Sequence, residues 1–510
     1  MSTFLRRSCG AAFVYALAAQ GASADLTAQD VWADWQAYMN GMGYEVSASE
    51  ATSGAVTTIS DLAMSMPLPE EDGNFVMTIP EMTLTENGDG TVAIGLPDSF
   101  PLTLDFKSPD EGAFQVELTY SQENLAMAVS GAPDDMTYDY AADTVTVELT
   151  SLTDNDEVLP PDAFKALMKI SGVTGTSQMK IGDMRDVAQT MKAAALSYEV
   201  AFDDPESEEQ ALIAGEMEGL GFTGSGALPK EWDAADYQSL MESGFNFAGG
   251  FTFEKGNTNV SGNAEEGPFT LASNSQGGTF DVAMTDAQIK YDVKQNDTKL
   301  AVTSGDLPFP IEMAMASAGL TFEFPVQAGD TPQPFAFGME LTDFTMSDIL
   351  WSMFDPAGAL PRDPATVALD TEGTATVLVN FMDPAVAETL EATDAAPGQL
   401  ETLNIKQLLI SMVGAKLTGT GAFAFDNTGT NTEEFGGMPA PTGVANLELT
   451  GANALIDKLI GMGMLAEQDA MGARMMMGLL AVPGDAPDTL KSEIEINKEG
   501  HISANGQRIK

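Results

Sequence analysis

The sequence has 510 residues, with 22 Lys or Arg against 76 Asp or Glu, so its formal net charge at pH 7 is −54. A chain this poor in cations repels phosphate backbones and anionic lipid headgroups, which excludes nucleic acid as a partner. The sequence has only one His and one Cys, which excludes zinc sites built from His and Cys as well as catalysis by Ser-His-Asp or Cys-His groups.

Residues 1–24 have the layout of a secretory signal peptide. A basic pair at 6–7 precedes an apolar stretch at 10–19 and an A-x-A cleavage pattern that ends at Ala24. The apolar stretch is shorter than the roughly 20 residues that cross a bilayer. We therefore expect cleavage between Ala24 and Asp25 and a periplasmic mature protein without a transmembrane segment or a disulfide, because the only Cys lies in this leader. The general secretory and twin-arginine routes both stay open.

Residues 25–43 are predicted to form an N-terminal amphipathic helix. Thr27 and Asp30 have the spacing of a capping box. The residues that follow on one face are apolar, namely Trp32, Trp35, Met39 and Met42. Two tryptophans on one stripe predict that this helix docks onto a larger apolar surface.

Residues 44–305 are predicted to form a β-rich region with interrupting helices. Apolar and polar residues alternate in short runs separated by turn signals, as in strands of an antiparallel sheet. The predicted strands are 74–79, 91–94, 102–106, 114–120, 198–202, 245–253, 279–284, 289–293 and 299–302. The predicted helices are 161–170, 183–195 and 233–242.

Residues 306–510 are predicted to form a second β-rich region, with a C-terminal helix at 451–480 and closing strands at 492–497 and 501–504. No repeat of fixed period is visible, but similar meander-like blocks recur. The fold class is therefore a β-rich α+β protein with large antiparallel, meander-like curved sheets and peripheral helices, an arrangement that can form an extended groove. One extended sheet and two stacked β-units both fit the pattern.

Three strings resemble functional motifs but lack the required context. The dinucleotide-like string 461–466 follows a helical stretch instead of a strand, and the S-x-x-K at 177–180 has neither partner motif. A calcium-like loop that starts at Asp154 has Leu159 where Gly is needed and Lys165 where Glu is needed. We therefore expect no cofactor, metal or catalytic residue, although loose calcium binding by clustered acids stays open. The 30 methionines fit either core filling or an adaptable ligand-lining surface.

The stretch 348–365 resembles the signature of the domain of unknown function 2125 family, which consists of exported Gram-negative bacterial proteins. The matching signature residues, to which we assign a structural role, are Trp351, Phe354, Asp355, Pro356, Leu360, Pro361, Arg362, Asp363 and Pro364. We expect a short helix that buries Trp351 and Phe354, an extended exit fixed by the prolines, and a structural ion pair at Arg362.

The segments 417–421, 441–443 and 499–502 resemble that family's closing pattern. The strand–strand–helix ending is also distantly similar to AsmA-like envelope proteins. That resemblance implies an extended apolar groove associated with lipid handling.

These observations favour a non-enzymatic exported protein of the cell envelope, acting as a scaffold or as a carrier for apolar ligands such as lipids. The alternative is a protein–protein interaction module with a dry core and an envelope protein as partner. A third hypothesis is a hydrolase that uses carboxylates alone, since the chain has 76 acids, but spacing singles out none of them.

Overall fold

The computed structural model describes residues 25–510 except 69–72, 109–111, 156, 205–206, 208, 232–236, 265–266, 306, 308, 384–385, 387–389, 391–395 and 429–438. Its helices are α1 Ala28–Gly41, α2 Tyr237–Glu242, α3 Asp348–Phe354, α4 Ala452–Gly461 and α5 Glu467–Leu480.

Strands make up most of the fold. In the first half of the chain they are β1 Glu45–Ser53, β2 Val56–Leu68, β3 Gly73–Glu86, β4 Val92–Gly95, β5 Ser99–Ser108, β6 Gly112–Glu123, β7 Ala126–Ala132, β8 Asp135–Asp154, β9 Glu157–Val158, β10 Phe164–Ile181, β11 Arg185–Asp203, β12 Gln210–Leu228 and β13 Asn246–Phe253. The others are β14 Lys255–Ala264, β15 Gly267–Ser275, β16 Gly278–Met284, β17 Gln288–Ser304, β18 Ile311–Pro325, β19 Gln333–Met346, β20 Ala365–Val377, β21 Gly398–Met412, β22 Ala415–Asp426, β23 Ala440–Thr450, β24 Val482–Pro483, β25 Thr489–Ile496, β26 Ile502–Ala504 and β27 Gln507–Arg508.

All these strands belong to one antiparallel sheet, as the sequence predicts for its fold class. The spatial order is β1, β2, β3, then β4 beside β5, β7 beside β6, β8, β10, β11, β12, β13 beside β14, β16 beside β15, β17 to β23 in succession, and β25. β17 and β18 pair along their length, so the sheet is continuous across the predicted boundary between the two β-rich regions at residues 305–306.

A crease crosses this sheet at the middle of its long strands. Backbone φ is left-handed within five of them, at Asp61, Gly172, Gly219, Asp297 and Asp343. At the first four of these positions one residue pair is missing from the ladder while the register stays the same, and at Asp343 the register itself shifts. A left-handed residue inside a strand changes the direction of that strand, and Asp and Gly tolerate the left-handed region better than most residues. We call the part of the sheet that contains β4, β7, β13 and β16 half-sheet 1, and the part that contains β5, β6, β14 and β15 half-sheet 2.

The connections of β3–β8 are repeated in β12–β17. In each block a long strand pairs with the next two strands, a hairpin crosses into half-sheet 2, and the chain returns to half-sheet 1 before the next long strand. The pairs β3–β4, β3–β5, β4–β7, β5–β6, β6–β8 and β7–β8 correspond one for one to β12–β13, β12–β14, β13–β16, β14–β15, β15–β17 and β16–β17. The repeat lies in topology, which explains why no sequence period reveals it.

Helix α1 packs on one face of the sheet, which we call the inner face. Its capping box forms as predicted, with Thr27 Oγ1 accepting from the Asp30 amide at 3.1 Å and Asp30 Oδ2 accepting from the Thr27 amide at 3.0 Å. Trp32 is completely buried in a cluster that also holds Leu84 and Ile94 of half-sheet 1 and Phe100 of half-sheet 2. The helix therefore lies between the two half-sheets.

Three predicted helices need correction. Residues 161–170 and 183–195 do not form helices, because 164–181 and 185–203 are the long strands β10 and β11. Their Ala, Met and Lys residues favour helix locally, but long-range pairing places alternate residues on the inner face and overrides that preference. The helix predicted at 451–480 is two helices, α4 and α5, separated by a turn at Gly463, whose φ is +72°.

Candidate functional site

A single row of inner-face residues, directly paired from strand to strand, crosses most of the sheet. We call it the central row. It consists of Leu84, Ile94, Met127, Tyr140, Gly175, Met191, Phe222, Phe251, Phe280, Val293, Leu320, Met339, Leu369, Leu408, Gly419, Leu447 and Ser492. Because directly paired residues point to the same face, these residues form an apolar stripe perpendicular to the strands.

Two further rows flank the central row on the inner face. The row nearer the crease consists of Phe253, Gly278, Gln295, Ala318, Leu341, Val367, Ile410, Leu417, Leu449 and Leu490. The other row lies nearer the rim, by which we mean the edge of half-sheet 1 that is farthest from the crease. It consists of Gly224, Gly249, Val282, Tyr291, Phe322, Phe337, Thr371, Ile405, Gly421, Ala445 and Ile494. None of the residues of these three rows is Asp, Glu, Lys or Arg, although the chain has 76 acids.

The central row is buried only where α1 covers it. Leu84 and Ile94, next to α1, are 0% and 4% exposed. Farther along the same row, Phe280, Val293 and Leu320 are 40%, 38% and 45% exposed. Large apolar side chains at this exposure, in a continuous stripe, are typical of interaction surfaces.

The inner face is concave across the crease. Its floor is a buried cluster of Ala142, Val173, Ala193 and Leu220. Side chains of both half-sheets pack against this floor, with Met191 and Phe251 on one side and Leu196 and Met217 on the other. The two half-sheets therefore form the walls of a trough. Beyond β19, half-sheet 1 continues alone through β20–β25.

The outer face of the same strands carries the charges. Lys294 Nζ lies 3.5 Å from Glu340 Oε1, and Lys406 Nζ lies 2.6 Å from Glu372 Oε2. A hydrogen bond from the Ser317 hydroxyl, together with Lys294, holds the pKa of Glu340 below its usual range against the opposing effect of burial. The sheet thus separates an uncharged concave face from an ionic outer one.

A depression of about 1130 Å³ lies elsewhere, mainly on the outer face of half-sheet 1 between β3 and β16. Small outer-face residues line most of it, among them Ala128, Thr176, Thr190 and Thr223. A twisted sheet is saddle-shaped. The inner face is therefore concave across the crease, and the outer face is concave in the perpendicular direction, along the rows, which produces this depression. The charged residues of its lining, Asp139, Lys192 and Asp281, lie on different strands.

Helix α5 exposes a second apolar surface at the last strands of the sheet. The Leu480 carbonyl at its end accepts from the Ser492 hydroxyl at 2.6 Å and from Asn505 Nδ2 at 3.1 Å. Met471 and Met475 are 67% and 70% exposed, and Met476 and Leu479 are also exposed.

Among the helices of the described residues, none is long and apolar enough to cross a membrane.

The signature residues form a compact turn at the end of α3. Asp355 is completely buried, and its carboxylate accepts from the amides of Ala359 at 2.8 Å and Leu360 at 2.9 Å. Burial alone raises the pKa of Asp355, but these amides and Arg362 hold it below its usual value. Leu360 is buried as well. Asp355 therefore stabilises the turn after α3 through these two hydrogen bonds.

The remaining signature residues lie around this turn. Arg362 Nη1 forms the expected ion pair, with Asp348, and the guanidinium lies 6.0 Å from the centre of the Trp351 ring. Phe354 contacts Trp351 at 5.1 Å between ring centres but is 40% exposed, so its predicted burial is wrong. A helix of one or two turns cannot bury every face. Pro361 packs against the hairpin at Gly414, while Pro356, Asp363 and Pro364 are exposed.

Some of the predicted positions lie outside the described residues. Ala24 and the rest of residues 1–24 are among them, while Asp25, on the other side of the predicted cleavage site, is exposed. Asp156 of the calcium-like loop also lies outside them. In the described part of the chain, no group of three or more His, Cys, Asp or Glu is arranged to hold a metal ion.

The sequence predicts a groove but does not identify the residues that line it, because the rows depend on register. Strands 279–284 and 289–293 were predicted, but the face that each residue occupies relative to distant strands was not. A signal was present in Asp61, Asp297 and Asp343, which interrupt strand patterns and adopt the left-handed backbone conformation that Asp tolerates.

Residues 246–503 match the family described as "Uncharacterized protein conserved in bacteria (DUF2125)", and the chain belongs to this family. The match runs from β13 to β26 and covers the exposed part of the central row. Neither a curated protein nor a solved structure matches the chain.

Proposed function

We propose that this DUF2125 protein binds lipids or other apolar ligands along its trough, as a non-enzymatic component of the bacterial cell envelope. The observation that carries the proposal is the central row, whose side chains are about two-fifths exposed between β16 and β19 with no charged residue in the flanking rows. Burying such side chains under a hydrocarbon chain is favourable by roughly 25 cal/mol per Å² of apolar area.

The dimensions of the trough fit a long hydrocarbon. The central row takes nine strand-to-strand steps from Phe222 to Leu447. At about 4.8 Å a step, this part of the row is roughly 43 Å long, and its first five steps, to Met339 of β19, lie between the two walls over roughly 24 Å. A location in the periplasm rests on the leader pattern in residues 1–24, and the resemblance to AsmA-like proteins remains a prediction.

The test is extraction of the purified protein and quantitative analysis of its lipids. We expect at least one apolar molecule for each protein molecule, and at least a fivefold loss in a Leu320→Gln, Met339→Gln double variant. The matched control is Ala336→Gln with Ala368→Gln, on the outer face of neighbouring strands. Absence of any bound apolar molecule from protein purified from its native host contradicts the proposal.

A second candidate function, binding of an envelope protein, has one observation in its favour. The methionines of α5 are the most exposed large apolar side chains of that helix, and flexible thioethers suit adaptable protein interfaces. A photocrosslinker at Met475 tests this. One dominant protein adduct supports it, and labelling spread over many proteins opposes it.

A further inference from the structure

Helix α1 lies in the trough as a long ligand would. Its amino end is held at β3, where the Ala28 amide donates to Glu86 Oε1 at 3.0 Å. At its carboxyl end, Gly41 packs directly against the backbone carbonyl of Lys230, just beyond β12. The helix, about 21 Å long at 1.5 Å per residue, therefore runs across the strands and parallel to the rows.

The surface under α1 is the same surface that stays open farther along. The rim-side row continues from Gly224 through Gln189, Ser177, Tyr138 and Val129 to Val92. Val92 and Val129 are completely buried, with Trp32 of α1 in the same cluster. Without the helix these side chains, with Leu84 and Ile94, would extend the apolar wall toward β3.

We propose that this covered surface is a further binding site for hydrocarbon chains, and that α1 is its displaceable occupant. The inference rests on the proposed function, because the ligand is the one that fills the open part of the trough. With α1 in place the open trough begins near β12, and with α1 displaced it extends to β3.

A small set of polar contacts holds α1 in place. Arg185 of β11 makes two hydrogen bonds to Asp34, at 2.6 and 3.1 Å, and this pair is buried. The Trp35 indole donates to the Tyr138 hydroxyl at 3.1 Å, and the Trp32 indole donates to Glu50 Oε1 at 2.6 Å. When α1 leaves, these polar groups can form hydrogen bonds with water instead. The apolar wall, by contrast, can replace its lost contacts only with those of another apolar group.

The chain geometry allows the displacement. α1 joins β1 through Gly43, which has a φ of +86° and has no atom within 4 Å of the position that a Cβ would occupy. A helix of 14 residues is marginal in water by itself, so α1 owes its order mainly to the wall beneath it. A hydrocarbon that competes for this wall therefore releases the helix without unfolding the sheet.

The test compares two variants in binding of the neutral apolar dye N-phenylnaphthylamine. Asp34→Asn with Arg185→Gln removes both charges of the buried pair, and Asp457→Asn with Arg474→Gln removes an exposed pair as the control. We expect the first variant to bind at least twice as many dye molecules as the unmodified protein, with red-shifted tryptophan emission. The control is expected to match the unmodified protein. Red-shifted emission without added dye capacity overturns the inference.

Hydrogen exchange of the unmodified protein decides the question if that variant does not fold or keeps α1 docked. We expect dodecanol to accelerate exchange of the α1 amides at least tenfold while β10 and β11 stay protected. Exchange in α1 that is as slow as in β10, with and without dodecanol, overturns the inference. Failure of the proposed function would give a different result from failure of this inference. Dye binding would then be insensitive to Leu320→Gln with Met339→Gln.

Discussion

Leu84 and Leu320 lie in the same row of one sheet, but Leu84 is completely buried and Leu320 is 45% exposed. Both side chains are leucines on the inner face of the sheet, and a series of directly paired residues connects them. They differ in that α1 covers one of them. The contrast locates the part of the trough that α1 leaves uncovered.

Breaking the buried ion pair on one side is expected to destabilise the protein strongly. Asp34→Asn leaves the Arg185 guanidinium buried without its counter-charge, which costs about 3–5 kcal/mol in the free energy of unfolding. Asp457→Asn, in the exposed pair with Arg474, is expected to cost at most about 1 kcal/mol. Urea denaturation measures both, and equal losses would contradict the structural role of Asp34.

Stability is expected to fall as pH rises from about 10 to 12. Burial raises the pKa of Tyr138 to about 12, from 10.0 in its unfolded reference. A raised folded-state pKa stabilises the protein fully below the unfolded value, and this contribution disappears as pH rises through the folded value. Thermal denaturation against pH tests this, and Tyr138→Phe should flatten the profile in that window. An unchanged profile in this variant contradicts the assignment.

Two glycine substitutions are expected to have opposite signs. A Cβ at Gly443 of β23 would overlap the backbone carbonyl of Ala422 on β22, so Gly443→Ala should destabilise the sheet by about 1–3 kcal/mol. Gly472 of α5 has open space around it, and Gly472→Ala should stabilise the protein by about 0.5–1 kcal/mol through helix propensity. Melting temperatures that shift in the same direction would contradict this part of the structure.

Removal of the Asp355 carboxylate is expected to lower the free energy of unfolding. Asp355→Ala removes the acceptor for the buried amides of Ala359 and Leu360, at a cost of about 1–3 kcal/mol. Asp363→Ala, at an exposed position of the same signature, is expected to change the free energy of unfolding by less than about 0.5 kcal/mol. A wild-type melting temperature for Asp355→Ala would show that the turn does not depend on this side chain.

Local features were predictable from the sequence, and long-range features were not. The capping box of α1 depends on Thr27 and Asp30, three residues apart, and was predicted correctly. β10 and β11 were partly predicted as helices because their composition favours helix, and only pairing with β8 and β12 makes them strands. The pairing of 92–94 with 127–129 spans an entire inserted hairpin. Since the site is a row of residues from many strands, its prediction requires all these registers at once.

The most direct test of the account is photolabelling with a diazirine-bearing fatty alcohol, followed by mapping of the labelled residues. The account predicts label on inner-face residues of β16–β19, such as Phe280, Leu320 and Met339, and little on outer-face neighbours such as Asp281 and Thr321. Equal labelling of both faces, or labelling confined to the exposed methionines of α5, would contradict the claim that this sheet forms an apolar binding trough.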